Sequence, residues 1–368
     1  MPLSVDIQKR LGDFRLQVAF QVDDSREMLA LLGPSGCGKS MTLRSIAGLV
    51  RPDAGRIVLN DRVLFDSAAH VDLPPRERRV GYLFQSYALF PTMTVEQNVM
   101  AGALGGTREE RRARAAEQIA AMRLTGLEQH RPAELSGGQR QRVAMARMLA
   151  GSPELILLDE PFSALDGYLR WQIELEMTDL LRGYPGGAIL VSHNRDEVYR
   201  MCDTVCVISN GRSEPKQQVR DLFAQPRTVA AALISGCKNF SAVRVVGPGL
   251  LECVDWGVTL RTSLPVSADV TSVGVRAHYF EPARPDAPNA IPVKVERVID
   301  STFSIIAMVR TPGGGLIRYE LEKDAWARLG RPSAFTLMAP AACVMPLAGD
   351  AMPRVPDALG TRTAGGER

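Results

Sequence analysis

A glycine-rich segment near residue 35 has the spacing of a phosphate-binding loop. Four residues separate Gly33 from a Gly-Lys-Ser triplet, and glycines let the backbone curl so that successive N–H groups point at phosphate oxygens. Lys39 would reach the β- and γ-phosphates, and the Ser40 hydroxyl would bind Mg²⁺. The alternative is a glycine turn with an incidental lysine. The complete segment consists of Gly33, Pro34, Ser35, Gly36, Cys37, Gly38, Lys39 and Ser40.

The segments on either side of this loop favour phosphate binding. Residues 28–32 form an apolar run that is typical of a buried strand. Residues 40–49 have the pattern of a helix that Gly48 begins to close. A helix that starts at the loop adds the positive end of its dipole. The order strand, loop, helix therefore predicts a phosphate site.

A second apolar run ends in two carboxylates. Residues 155–158 predict another buried strand. Asp159 would lie at the edge of the sheet, where its charge can hold a water bound to Mg²⁺. Glu160 lies one residue further and is a natural general base for a hydrolytic water. Taken alone, the acidic pair is equally consistent with a helix cap.

Residues 135–139 are Leu-Ser-Gly-Gly-Gln. Ser136 and two glycines open a helix, which gives a second N-terminal anion site with a hydroxyl donor. The alternative is a plain serine-capped helix. The pentapeptide resembles the signature of the ATP-binding subunits of ABC transporters, and it lies between the phosphate loop and Asp159 as in that family. The resemblance implies that ATP contacts Ser136, Gly137, Gly138 and Gln139.

The other motifs of this family follow in the same order. Gln85 matches the glutamine that senses Mg²⁺ and the attacking water. Residues 163–166 match the loop that communicates across the subunit interface, and His193 matches the switch histidine at the γ-phosphate. The resemblance therefore implies that Glu160, His193 and Gln85 are catalytic, and that Ser40, Gln85 and Asp159 hold Mg²⁺.

The sequence departs from the family pattern at two places. Met41 and then Thr42 follow Ser40, where the family usually has threonine next to the serine. The aromatic residue that stacks on adenine is not obvious, and either Leu11 or Phe14 could occupy its place. We expect Phe14, since base stacking needs a π-face. The other interpretation of Phe14 is a core residue of an alternating strand.

The character of the chain changes near residue 236. Residues 1–235 alternate short apolar runs with amphipathic segments, which predicts an α/β domain. The resemblance specifies an ABC nucleotide-binding domain with a parallel-sheet core and a helical signature subdomain. Residues 236–348 carry short β-type runs between Gly, Pro and Asp, which predicts a small β-barrel or sandwich. Residues 349–368 are expected to be a disordered tail.

Composition excludes several classes of protein. A net charge of +3 gives no electrostatic case for nucleic acid as a partner. The 6 cysteines have irregular spacings, so they predict a reduced, cytosolic protein without a disulfide framework. No apolar stretch approaches the roughly 20 residues of a membrane span, and the start lacks the pattern of a signal peptide.

The resemblance also implies partners. In this family two copies face head to tail and sandwich two ATP molecules, so that the phosphate loop of one meets residues 136–139 of the other. We interpret the apolar residues 88–95 as a groove for a helix of a membrane-spanning permease, with a buried satellite cluster as the alternative. The expected place is the cytoplasmic face of the inner membrane. A periplasmic or lipid-anchored substrate-binding protein would be an indirect partner.

The lack of a fused membrane span favours an importer. Residues 55–60, 74–82, 193–199 and 291–347 resemble the molybdate and sulfate group. Molybdate or tungstate is the cargo expected first and sulfate or thiosulfate second, with ferric iron, polyamines and sugars left open. A soluble ABC ATPase of DNA repair or translation usually carries two cassettes or a coiled-coil insertion. A small-molecule kinase would lack residues 135–139.

Residues 291–347 resemble the small oxyanion-binding β-domain attached to molybdate ATPases, and we expect the region after residue 236 to be regulatory. Hydroxyl and cationic side chains that could bind a tetrahedral oxyanion lie in one stretch. They are Lys294, Arg297, Ser301, Thr302 and Ser304. An ordinary solvated strand face is the alternative for these positions.

Overall fold

The architecture was determined from a computed structural model, which describes residues 2–24, 26–163, 165 and 167–349. The chain divides into two compact units, of which the first ends at Arg220 and the second begins at Asp221. This division comes before residue 235, where the sequence predicts the domain boundary. The predicted tail lies outside the described residues from residue 350 onward.

The strands of the first unit join in one mixed sheet. In chain order they are β1 Leu3–Leu11, β2 Phe14–Val22, β3 Met28–Leu32, β4 Ala54–Leu59, β5 Arg62–Asp66, β6 Val71–Asp72, β7 Val80–Leu83, β8 Leu155–Asp159, β9 Gly187–Ser192, β10 Thr204–Ser209, β11 Arg212–Ser213 and β12 Gln217–Gln218.

Five parallel strands form the centre of this sheet, in the order β7, β8, β9, β3, β10. Every side chain of β3, β8 and β9 is buried, as the uninterrupted apolar runs predict for strands covered on both faces. Because parallel strands end at the same edge, the loops after β3, β7, β8 and β9 meet there. The predicted parallel-sheet core is confirmed.

An antiparallel layer extends the sheet. Strand β1 pairs with β2 on one side and with β4 on the other. Its side chains are buried at alternate positions in the first half of the strand, which is the period-two pattern of a strand with one covered face. The two-residue β11 connects the layers, since it pairs with β2 and with β10.

Helices cover both the core and the signature region. Their bounds are α1 Lys39–Ile46, α2 Val95–Gly102, α3 Arg108–Ala121, α4 Gly137–Leu149, α5 Gly167–Gly183, α6 Arg195–Met201, α7 Val219–Ala224 and α8 Val229–Ile234. Helices α2, α3 and α4 pack on one another. Each begins at a hydroxyl N-cap with a reciprocal capping box, from Thr94, Thr107 and Ser136 respectively.

The second unit contains two antiparallel five-stranded sheets. Its strands are β13 Asn239–Gly247, β14 Leu250–Cys253, β15 Val258–Arg261, β16 Val270–Val275, β17 Glu281–Pro282, β18 Ala290–Asp300, β19 Ser304–Arg310, β20 Leu316–Glu322, β21 Ala334–Met338 and β22 Met345–Ala348, and its helix α9 spans Lys323–Arg328. Trp256 and Trp326 are buried in a shared apolar core. The predicted β-rich C-terminal region is confirmed. Helix α8 packs against β16 and β22.

A buried arginine fixes the C-terminal end of α1. The guanidinium of Arg78 is fully buried and donates to the carbonyls of Ser45 and Ile46 at 2.8 and 2.9 Å. It also donates to the carbonyl of Leu73 at 2.7 Å and to the carboxylate of Asp72 at 2.8 Å. Because the last carbonyls of a helix lack intrahelical donors, these bonds tie α1, and the loop at its other end, to the sheet.

Gly48 lies against this arginine. It has a φ of +78°, and a Cβ there would be 2.6 Å from Nε of Arg78. Gly48→Ala should therefore lower the free energy of unfolding by about 2–4 kcal/mol, because a steric clash is added to left-handed backbone strain. Urea unfolding of the full chain measures the loss.

Gly12→Ala is the matched control for this variant. Gly12 also has a positive φ, +58°, but a Cβ there would have nothing within 4 Å. The control should lose only the backbone term, about 1–2 kcal/mol. Equal losses of unfolding free energy in the two variants would show that the Arg78 side chain moves aside at no energetic cost.

Candidate nucleotide-binding site

The phosphate loop connects β3 to α1, and two of its glycines have no room for a side chain. A Cβ at Gly33 would lie 2.2 Å from the carbonyl oxygen of Ile208, and one at Gly38 would lie 2.3 Å from Cδ1 of Leu16. Gly38 also has a φ of +107° and precedes α1 without a side-chain cap. The loop thus presents main-chain groups at the start of α1, as the sequence predicts for phosphate binding.

Lys39 folds back over this loop. Its side chain is buried, and its Nζ donates to the carbonyls of Gly33 and Pro34 at 2.8 and 2.9 Å. The thiol of Cys37 lies 3.9 Å from the same Nζ. Burial raises the pKa of this thiol, and the charge of Lys39 opposes that shift. The ammonium group therefore lies at the mouth of the loop beside a neutral thiol.

Asp159 at the end of β8 binds the residue that follows Lys39. Ser40 Oγ donates to Oδ1 of Asp159 at 2.7 Å, and the hydroxyl of Tyr82 donates to Oδ2 at 2.7 Å. Asp159 is only 3% exposed. Burial, followed by the hydrogen bond to Asp159, raises the pKa of the Tyr82 phenol well above its usual value. The phenol therefore stays protonated and remains a donor.

Three further candidate residues meet beside this pair. Oε2 of Glu160 lies 3.3 Å from Nδ1 of His193 and 3.4 Å from Nε2 of Gln85. Glu160 has a left-handed φ of 48°, and its N–H donates to the carbonyl of Val191 on the neighbouring strand. This uncommon conformation for a non-glycine residue turns the carboxylate away from the direction of β8. The three side chains come from the loops after β7, β8 and β9.

The oxygen donors at the end of β8 fit a magnesium ion. Ser40 and Asp159 supply a hydroxyl and a carboxylate that already lie within hydrogen-bonding distance, and Mg²⁺ prefers one or two such ligands together with phosphate oxygens and water. Among the described residues, no cluster of three or more His, Cys, Asp or Glu side chains could hold a metal by itself. Such a site would need the nucleotide to complete it.

Phe14 lies close to the phosphate loop. A Cβ at Gly38 would be 3.4 Å from Cζ of Phe14, and the ring is half-buried against the core of the sheet. Thr42, in the place next to Met41, is fully buried and donates from Oγ1 to the carbonyl of Gly38 at 3.0 Å. With threonine at residue 42 rather than directly after Ser40, the threonine hydroxyl binds a main-chain carbonyl of the phosphate loop.

The signature residues open α4 as a capped helix. The N–H of Gln139 donates to Oγ of Ser136 at 3.3 Å, and the N–H of Ser136 donates to Oε1 of Gln139 at 2.8 Å. Ser136 is exposed, whereas Gly138 is buried. Among the described residues, the side-chain hydrogen bonds of Ser136 and Gln139 connect these two residues with each other. Of the communication loop 163–166, Ala164 and Asp166 lie outside the described residues.

The loop after Gln85 is held by a residue that the sequence analysis missed. Arg147 on α4 donates to the carbonyls of Tyr87 and Ala88 at 2.8 and 2.7 Å, and its guanidinium lies 5.5 Å from the ring centre of Phe90. Phe90 is 45% exposed. Arg147 could not be found from a motif, because its partners are carbonyls, which every residue has.

The C-terminal residues proposed for oxyanion binding do not converge. Lys294 and Arg297 are exposed on β18, and Ser301 follows Lys294 after seven residue steps, which is about 23 Å along an extended chain. Ser304 already donates to Glu320 at 3.0 Å. These five residues follow one hairpin of the second unit rather than lining a common pocket.

Both fold and site define a nucleotide-binding domain of the phosphate-loop class. Residues 17–163 match the family model described as ABC transporter. A dimeric ATP-binding cassette solved with ADP and Pi has a TM-score of 0.50 and 28% identity, over 60% of this chain and 99% of that one. Within the described part of the chain, no helix is long and apolar enough to cross a bilayer.

Three curated relatives place the chain further. A spermidine/putrescine import ATP-binding protein of Methylococcus capsulatus is 41% identical over 72% of this chain and 64% of its own length. A sulfate/thiosulfate import ATP-binding protein of Burkholderia mallei is 36% identical over 88% of this chain and 92% of its own. A molybdenum import ATP-binding protein of Paramagnetospirillum magneticum is 38% identical over 84% and 88%. This chain belongs to the ABC transporter family of ATP-binding proteins.

Tyr82→Phe should lower the free energy of unfolding by about 1.5–3 kcal/mol, the range for losing a hydrogen bond to a charged group. The variant leaves Oδ2 of the buried Asp159 without its phenol donor. Tyr184→Phe is the control, since Tyr184 donates at 2.6 Å to the neutral carbonyl of Pro153, and it should lose about 0.5–1.5 kcal/mol. Urea unfolding compares the two, and a smaller loss in Tyr82→Phe would contradict the charge-assisted bond.

Proposed function

We propose that this chain is the ATP-hydrolysing subunit of an ABC importer, with molybdate as the cargo. The observation that carries the hydrolytic part is the meeting of Glu160, Gln85 and His193 beside the Ser40–Asp159 pair. A carboxylate with an amide and an imidazole at its side can accept a proton from a water and keep that water oriented.

The roles follow from the chemistry of each group. Glu160 accepts the proton of the attacking water, and Gln85 orients that water through its amide. His193 donates to the γ-phosphate, where charge builds up as the bond breaks. Lys39 and the main-chain N–H groups of residues 33–40 bind the phosphates. Phe14 stacks on the adenine ring next to Gly38.

Ser40 and Asp159, together with Gln85, are the residues that would hold Mg²⁺. When bound, the ion neutralises phosphate charge. The chain's own contribution is to keep the Ser40 hydroxyl and the Asp159 carboxylate adjacent, and Tyr82 fixes the orientation of that carboxylate by its bond to Oδ2.

A second copy of the chain completes the site. The N-terminal end of α4 is exposed at Ser136, and its hydrogen bonds within the described chain are to its own first turn. It is therefore available to a nucleotide held by another copy. The dimeric state of the solved cassette supports a pair of copies, and their head-to-tail orientation is part of this proposal.

The importer partners are proposed on two further observations. Ala88, Phe90, Pro91 and Thr92 are exposed, which favours a groove for a permease helix over a buried cluster. The relatives are named as import ATP-binding proteins. A place at the cytoplasmic face of the inner membrane, and an indirect partnership with a substrate-binding protein, follow from this proposal.

An oxyanion cargo is favoured by the extent of the alignments. Those with the sulfate/thiosulfate protein and with one molybdenum protein cover 88% and 84% of this chain, whereas the spermidine/putrescine alignment covers 72% and that with a second molybdenum protein covers 61%. The two longer alignments exceed the length of the first unit and therefore extend into the β-rich unit. We propose that this unit is regulatory, and sulfate or thiosulfate is the second candidate cargo.

Glu160→Gln should bind ATP normally and hydrolyse it about 10²–10⁴ times more slowly, because an amide does not accept the proton of water at neutral pH. Single-turnover hydrolysis and equilibrium binding of the nucleotide measure the two effects. Turnover near that of the unsubstituted chain would remove Glu160 from the base role.

The same variant offers a test of the dimer. Trapped with ATP, Glu160→Gln should run at twice the monomer mass in light scattering. Adding Ser136→Arg should abolish the dimer while leaving the affinity of the single chain for ATP unchanged. Loss of nucleotide binding in the double variant would show that Ser136 does not act across an interface.

The cargo is tested by reconstitution with the permease and the binding protein. Molybdate-loaded binding protein should raise ATP hydrolysis at least about tenfold above the empty binding protein, a difference of about 1.4 kcal/mol in barrier height. Sulfate-loaded and thiosulfate-loaded samples are the comparison. Stimulation by sulfate alone would move the assignment to the second candidate, and stimulation by neither would overturn both.

A further inference from the structure

The two neighbours of His193 are held by a single carboxylate. Ser192 is 2% exposed, and its Oγ donates to Oε2 of Glu197 at 2.6 Å. Asn194 donates from Nδ2 to Oε1 of the same residue at 3.2 Å. The N–H of Asn194 donates to Oγ of Ser192 at 2.9 Å. The backbone on both sides of His193 is thus closed into one hydrogen-bonded ring.

Burial of the Glu197 carboxylate at this position costs free energy. It is only 4% exposed, and a buried carboxylate is costly unless it is paired and hydrogen-bonded. Desolvation raises the pKa of Glu197, while Ser192 and then the charge of Arg170 lower it. An apolar side chain would fill the volume without that cost, so the two oxygens have a purpose at the loop that carries His193.

The position also connects with the neighbouring helix α5. Arg170, whose charge favours the ionised form of Glu197, donates from Nη2 to the carbonyl of Leu165 at 3.2 Å. Leu165 belongs to the segment 163–166, which the family resemblance matches with the loop that communicates across the subunit interface. Arg200, one turn along α6, makes a bidentate pair with the buried Glu174 of α5 at 2.6 and 2.9 Å.

We propose that Glu197 is a positioning residue for His193, and that it acts through its hydrogen bonds to Ser192 and Asn194. This rests on the proposed function, in which His193 contacts the γ-phosphate. The His193 side chain is 60% exposed, and within the described part of the chain it pairs with Glu160. The orientation of the imidazole therefore depends on the loop backbone, and Glu197 holds that backbone through Ser192 and Asn194.

Glu197→Gln is the test, because it keeps the shape and allows only one oxygen to accept. One of the donors, Ser192 Oγ or Asn194 Nδ2, then faces an amide nitrogen. In the full chain the variant should lower kcat for ATP about tenfold, a fraction of the 10²–10⁴ that a positioned acid or base contributes. The KM for ATP should change by less than about twofold, since uniform binding is untouched.

Asp196→Asn is the matched control. It removes the same unit of charge from the adjacent residue of α6, where the side chain is exposed and the N–H rather than the carboxylate bonds to Asn194. The imidazole resonance of His193, assigned among the four histidines by its loss in His193→Ala, should shift in Glu197→Gln and not in Asp196→Asn. A role in folding alone would not move kcat and this resonance together while leaving KM unchanged.

A double-mutant cycle distinguishes the positioning role of Glu197 from the proposed role of His193 in hydrolysis. If Glu197 acts through His193, Glu197→Gln should have no further effect on kcat in a His193→Ala background. Multiplying effects, or a Glu197→Gln chain with normal kcat, would overturn the positioning role and leave the proposed function intact. A His193→Ala chain with normal kcat would instead overturn the role of His193. Should Glu197→Gln fail to fold, Ser192→Ala removes one of the two contacts and is judged by the same criteria.

Discussion

The parallel pairing of β9 between β3 and β8 is the constraint on which the rest of the first unit depends. Its register places Leu32 opposite Ser192, and Val191 opposite Asp159. The phosphate loop, the Asp-Glu pair and the histidine loop therefore start from the same edge. A shift of one residue would turn every side chain of β9 to the other face and would separate Glu160 from the carbonyl of Val191 that accepts its N–H.

The sequence was sufficient to predict this centre because its information is local. Each buried strand is an unbroken apolar run, and each ends in a residue type that binds phosphate, metal or water, so motif and element confirm one another. The antiparallel layer was not predicted in the same detail. Strand β11 has only two residues, and β6 consists of Val71 and Asp72. Strands this short are stabilised by pairing with neighbouring strands, and neither sequence is long enough to show a hydrophobic periodicity.

The residues that support the site from outside it were not predicted from the sequence, for a different reason. Arg78 and Arg147 act on main-chain carbonyls, and Glu197 acts on a hydroxyl and an amide. Every residue has a main-chain carbonyl, so the residue type does not show which carbonyl accepts a bond. A single sequence therefore does not identify the partner of such an arginine. Tyr82 could have been found from the Gln85 motif, since it lies three residues before Gln85, and its strand β7 pairs with β8, which ends at Asp159. The oxyanion candidates show that proximity along the chain is a weak guide, since Lys294 and Ser301 lie about 23 Å apart along an extended chain.

The capping box of α4 explains why residues 135–139 admit two interpretations. In the single chain, Ser136 and Gln139 satisfy each other, which is what any well-capped helix does. The first two N–H groups of the helix, on Gly137 and Gly138, have no intrahelical acceptor by their position. A nucleotide from another copy can bind those groups without breaking the cap. Should it take the Ser136 hydroxyl as well, the exchange costs one hydrogen bond of about 0.5–1.5 kcal/mol. The attraction between the triphosphate and these N–H groups would offset that cost, so closure of the proposed dimer would depend on bound ATP rather than on the signature alone.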